Sequence, residues 1–136
     1  LKVRQLTYSP GEDPKEVALA ALGSKLDTMP DLYSSRVLVI TAPSMDRIGS
    51  ILTTAKEQQE GRYQSKAGLL IKVGPDAFKY DPRYPQYPWE GPAPEVGDWV
   101  LYRTSDAHEI GFAGLSCRLI WDSEIVGRIT DIEAVY

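Results

Sequence analysis

From Arg36 onward the apolar residues fall in short runs rich in β-branched and aliphatic side chains, each stopped by Gly, Pro or Asp. Arg36-Val37-Leu38-Val39-Ile40-Thr41 is the densest and ends at Pro43. Side chains of this kind suit a pleated, buried strand better than a helix. The same pattern predicts strands over 68–73 (Gly-Leu-Leu-Ile-Lys-Val), 98–102 (Asp-Trp-Val-Leu-Tyr), 117–121 (Cys-Arg-Leu-Ile-Trp) and 125–129 (Ile-Val-Gly-Arg-Ile). Short strands separated by turn residues at this spacing predict a mainly β fold, a small barrel or sandwich.

The first 35 residues differ. After a loop at Ser9-Pro10-Gly11, Asp13-Pro14-Lys15-Glu16 reads as a helix N-cap, proline at the first helical position and a Glu placed to return a hydrogen bond to the cap. Helix formers follow from Val17 to Leu22, and Gly23 supplies a stop. The chain thus divides into an N-terminal arm with one short helix (1–35), a β domain (36–129) and a tail (130–136).

Two connections are too long for plain turns. The first, 42–66, has a polar second half, Ala55-Lys56-Glu57-Gln58-Gln59-Glu60-Gly61-Arg62, suited to a solvated loop or a frayed helix. The second, 75–95, sets Tyr80, Tyr84, Tyr87 and Trp89 among prolines. It lacks a clean Pro-x-x-Pro register with flanking basic residues, so a stiff aromatic loop packed on its own protein or on a neighbouring subunit is expected rather than a polyproline ligand.

Composition narrows the function classes. Hydrophobic residues make up 43% of the 136, enough for one buried core. Fifteen Lys and Arg against nineteen Asp and Glu give a formal charge of −4, and no basic run is available to neutralise successive phosphates, so nucleic acid is not the expected partner. Apolar stretches fall far short of the roughly 20 residues a membrane span needs, which predicts a soluble, cytoplasmic protein.

Candidate chemistry is sparse. Cys117 is the only cysteine and His108 the only histidine. The first sits in an apolar run and reads as a small buried hydrophobe; the second lies in Thr104-Ser105-Asp106-Ala107-His108-Glu109, which reads as a polar loop. No nucleophile elbow, phosphate-cradling glycine loop or dinucleotide fingerprint is present, and Asp122, Glu124, Asp131 and Glu133 read as exposed acids at turns and strand ends. A non-enzymatic protein without cofactor or metal is expected.

Taken in order, the pieces of the β domain resemble the GroES-type (ten-kilodalton) co-chaperonin family, above all its divergent bacteriophage versions. Arg36-Val37-Leu38-Val39 resembles the family's opening strand. Gly49-Ser50-Ile51-Leu52-Thr53 stands where the family carries the mobile loop that docks into a chaperonin ring. Gly68-Leu69-Leu70-Ile71-Lys72-Val73-Gly74 resembles its second core strand, Val96-Gly97-Asp98-Trp99-Val100 its Val-Gly-Asp turn and following strand, and the stretch from Arg118 to Val126 its closing pair.

The resemblance implies a GroES-like β-barrel and a homo-oligomer that caps a chaperonin ring and assists folding of a phage capsid protein. It assigns partner binding to Gly49, Ser50, Ile51, Leu52 and Thr53, and places the Pro/Tyr-rich stretch where the family has a roof hairpin. Two departures matter. Ser50 replaces an apolar residue of the docking run, a loss of roughly 1.5–3 kcal/mol per loop that ring multivalency can offset. The N-terminal arm has no counterpart in the family's basic domain. Both departures leave room for an alternative, a virion protein that decorates or cements a capsid through the arm, the Pro/Tyr-rich loop with Tyr80, Tyr84, Tyr87 and Trp89, and the segment at the mobile-loop position. A simple adaptor for a proline-recognising partner is a third reading.

Overall fold

Alternate side chains of a strand point to opposite faces, so a run that is apolar at every position must be covered on both sides. That is the condition of Arg36–Thr41, where everything after Arg36 is buried. The computed structural model describes residues 6–45, 67–103, 108–112 and 114–132. Within them the elements are β1 (Thr7–Tyr8), α1 (Pro14–Leu22), β2 (Arg36–Thr41), β3 (Ser44–Met45), β4 (Ala67–Val73), β5 (Trp99–Tyr102), β6 (His108–Phe112), β7 (Leu115–Trp121) and β8 (Ile125–Ile129).

Six strands form one antiparallel sheet in the order β6-β7-β2-β4-β5-β8, with the most apolar strands, β2 and β4, at its centre. A parallel pairing of β1 with β3 makes a second, minimal sheet. The fold is therefore mainly β, with one short helix. The expected closure into a barrel is not made by a hydrogen-bonded ladder: among the described residues none joins β6 to β8, and both are edges.

The two faces carry separate cores. On the first, Leu38, Ile40, Leu69, Ile71, Trp99 and Cys117 pack with Leu6, Ala18, Leu22 and Met29 of the arm. On the second, Val37, Val39, Leu70, Val100, Tyr102 and Ile120 form a smaller cluster, with Ala77, Phe78 and Ile125 against it.

The helix of the arm begins and ends at the residues its sequence marks. Asp13 Oδ1 accepts from the Lys15 N–H at 3.0 Å, Pro14 opens the helix, and Gly23 at φ 47° ends it. Instead of stopping there, the chain continues in a 3-10 stretch, Gly23–Thr28. A bulge between Leu38 and Val39 sets Lys72 opposite Leu38, on the arm's side of the sheet. There its Nζ donates to the carbonyls of Met29 (3.2 Å) and Pro30 (3.0 Å) and lies 3.4 Å from Asp31 Oδ1.

Two sequence readings need correction. His108 does not belong to a polar loop but opens β6, whose Ile110 and Phe112 join the first core. A single glycine between two apolar residues hid that alternation. Asp122 and Glu124 are not exposed turn acids; they are 6% and 9% exposed, in a 3-10 turn between β7 and β8.

Candidate functional site

Glycine, a buried carboxylate and a tethering carbonyl make the base of the 75–95 segment rigid. Gly74 sits so close to the carbonyls of Ser34 and Arg36 that a Cβ would clash with backbone. Its N–H donates to Arg36 O at 2.7 Å, and the Asp76 N–H to Ser34 O at 3.0 Å. Phe78 adopts φ 60°, a conformation that non-glycine residues rarely take, and its N–H donates to Asp122 Oδ2 at 3.0 Å. Burial of Asp122 thus has a purpose: its carboxylate fixes an otherwise unfavourable turn, and its own N–H is held by Ser35 O at 2.9 Å.

Above that base the chain forms a small hairpin. Trp89 N–H donates to Lys79 O (3.0 Å), Asp81 N–H to Tyr87 O (2.9 Å) and Tyr87 N–H to Tyr84 O (2.9 Å), with a bridge between Tyr80 and Pro88. Asp81 Oδ1 closes the tip by accepting from the N–H groups of Arg83 (2.7 Å) and Tyr84 (3.0 Å), an Asx turn. Prolines cannot donate, so this aspartate and a few amides carry the hydrogen bonding.

The aromatic residues divide by role. Tyr80, Tyr84 and Tyr87 are 51%, 57% and 58% exposed, the last two edge to face at 6.4 Å. Trp89 turns inward instead, edge-on to Phe78 at 5.3 Å, with its Nε1 buried and without an acceptor among the described residues. Of the four residues expected at an interface, three form a surface and the fourth anchors it. A groove of about 370 Å³ runs beside the anchor between Pro92, Ala93, Pro94 and the β8 residues Ile125 to Arg128.

A polar group lies on the second face. Tyr102, on β5, is 3% exposed, and burial pushes its phenol up to about 12; the Arg118 guanidinium opposes the shift and the Glu109 carboxylate adds to it. Tyr102 Oη and Arg118 Nε have no hydrogen-bond partner among the described residues, and Arg118 pairs loosely with Glu109 at 3.9 Å. Two strands, β4 and β2, lie between Tyr102 and Arg118 in the sheet.

The remaining expected residues are placed as follows. Gly49, Ser50, Ile51, Leu52 and Thr53 lie outside the described residues. Cys117 is buried on the first face, where desolvation pushes its thiol up to about 11 and leaves it protonated at neutral pH. Among the described residues no three His, Cys, Asp or Glu side chains converge as a metal site, and no helix is long and apolar enough to cross a membrane. The chain matches no protein-family model and no curated protein.

Proposed function

We propose that this chain is a GroES-type co-chaperonin of the bacteriophage kind, which docks on a chaperonin ring through Ile51 and Leu52 and assists folding of a capsid protein. The observation that carries the reading is the match between motif order and strand order. The segments that resemble the family fall on β2, β4, β5, β7 and β8 of one antiparallel sheet, and the docking segment is the connection from the β2 side to β4. The Tyr-bearing hairpin springs from the connection between β4 and β5, where the family has its roof hairpin.

A second reading has its own support. Three exposed tyrosines on a hairpin held rigid at its base are suited to a fixed contact with a flat partner, because aromatic residues with two side-chain torsions lose little entropy on binding. That fits a capsid decoration protein.

Co-elution with a bacterial chaperonin and ATP separates the two. Nucleotide-dependent association, abolished in an Ile51→Ser/Leu52→Ser double variant, is the expected result. No association, together with capsid binding that is lost in a Tyr84→Ala/Tyr87→Ala variant, would replace the co-chaperonin by the virion protein.

A further inference from the structure

We propose that the groove between the end of β7 and the connection from the arm into β2 binds an extended peptide of a partner protein, with a carboxylate of the peptide on Arg36 and a neighbouring apolar side chain between Tyr33 and Trp121. The groove measures about 360 Å³ and is lined by Pro30, Leu32, Tyr33, Arg36, Leu119 and Trp121. Arg36 and Trp121 face each other across the ladder of β2 and β7, and the guanidinium carbon lies 3.9 Å from the centroid of the indole. Stacking of this kind fixes the guanidinium plane and leaves its N–H edge free. Among the described residues nothing accepts a hydrogen bond from that edge and no carboxylate pairs with it.

The walls are suited to binding in three further respects. Tyr33 is 79% exposed, more than any other large hydrophobic side chain among the described residues, and Trp121 is 40% exposed. Tyr, Trp and Arg are the residue types that dominate binding hot spots, and here they stand together. The connection is also pinned at both ends. Lys72 Nζ donates to the Met29 and Pro30 carbonyls at 3.2 and 3.0 Å, and the Ser34 and Ser35 carbonyls accept from the N–H groups of Asp76 and Asp122 at 3.0 and 2.9 Å. A partner meets a wall already in place and loses little affinity to ordering it. Between those pins Leu32 makes no hydrogen bond through its N–H or C=O among the described residues, which leaves a donor and an acceptor for an extended peptide laid along the connection.

Charge selects the occupant. Whatever covers the groove takes the Arg36 guanidinium out of water, which is costly unless an acceptor replaces the water, and a carboxylate matches the guanidinium fork with two parallel hydrogen bonds. Asp31, beside Pro30, is already balanced by Lys72 at 3.4 Å. Recognition of a phosphate group calls for a cluster of cations, and Arg36 is the single unpaired cation lining this groove. The proposal does not rest on what residues 49–53 or the tyrosine hairpin bind.

A displayed library of random heptapeptides, selected on the whole chain and counter-selected on its Arg36→Gln variant, tests the site. Enriched sequences are expected to carry Asp or Glu close to Leu, Phe or Trp. A labelled synthetic peptide of an enriched sequence is then compared, by fluorescence anisotropy, with a form whose acid is replaced by the matching amide. The amide is expected to bind the unaltered chain about tenfold more weakly or worse, and Arg36→Gln protein is expected to lose as much and to hold the two peptides equally. Tyr33→Ser, a change at a side chain that the fold leaves in solvent, is expected to weaken binding severalfold, whereas Ile51→Ser/Leu52→Ser and Tyr84→Ala/Tyr87→Ala leave it unchanged. No enrichment over the counter-selection, enriched peptides without an acid, or a preference for acid over amide that persists in Arg36→Gln protein overturns the proposal. A preference for the phosphoserine form of the peptide does so too, as does a dimer in light scattering that Tyr33→Ser dissolves, since a second copy then fills the groove.

Discussion

The two faces of the sheet are covered by the same chain in different ways. Over the first lies the arm, whose Leu6, Ala18, Leu22 and Met29 add to an apolar cluster that reaches every strand of the sheet. The second has a smaller apolar cluster under Ala77 and Phe78 and holds the polar groups: Asp122, Tyr102, Arg118, and the Thr41 and Ser116 hydroxyls 3.2 Å apart. Apolar burial is non-directional and tolerates many partners, whereas each buried polar group must find a specific one. The first face accounts for stability and the second for the shape of what the protein presents.

That division is breakable by substitution. Ile40→Ala, deep on the first face, is expected to cost about 2–5 kcal/mol, read as a lower urea midpoint at constant slope. A loss under about 1 kcal/mol would show that the arm does not pack closely on the sheet. Asp122→Ala on the second face leaves the Phe78 N–H unsatisfied and is expected to cost about 1–3 kcal/mol, with faster proteolysis between Tyr80 and Tyr87. Asp122→Asn, which keeps an acceptor, should recover most of this. Asp13→Ala removes the helix cap of the arm and is expected to cost about 1 kcal/mol without changing proteolysis of the hairpin.

The smallest effect sharpens the contrast most. Tyr102→Phe deletes a buried hydroxyl and is expected to change stability at pH 7 by less than about 1 kcal/mol. At high pH the variant should gain. The folded chain keeps the Tyr102 proton up to about 12, while the unfolded chain releases it near 10. Its contribution is complete below pH 10 and is lost as pH rises toward 12, at roughly 1.4 kcal/mol per pH unit. Cys117 adds a similar loss between about 9 and 11. Urea titrations across this range should show a shallower decline for Tyr102→Phe than for the parent.

Local chemistry was legible in the sequence, and long-range chemistry was not. The strand over 36–41 and that over 125–129 match residue for residue, because each is an aliphatic run with turn residues at its ends. Asp13 and Pro14 announce the helix by short-range capping rules. β6 escaped because Glu109 and Gly111 alternate with only two apolar residues. Asp122 was misread because what buries it, the Phe78 turn, lies 44 residues away. The Pro/Tyr stretch declared itself an aromatic loop, but only folding shows that Trp89 serves as anchor while the three tyrosines face out.

The bulge in β4 bears on how this chain tolerates changes in length. Counted by twos from Leu70, Lys72 belongs on the second face; the extra residue moves it to the first, where it latches the arm through two carbonyls. A single-residue deletion at Ile71 would make the pairing regular with Lys72 still opposite Leu38, so the latch to the Met29 and Pro30 carbonyls stays in place and what is lost is Ile71 from the first core. A shorter strand at 71 therefore costs packing, whereas loss of the Lys72 cation removes the polar latch between arm and sheet.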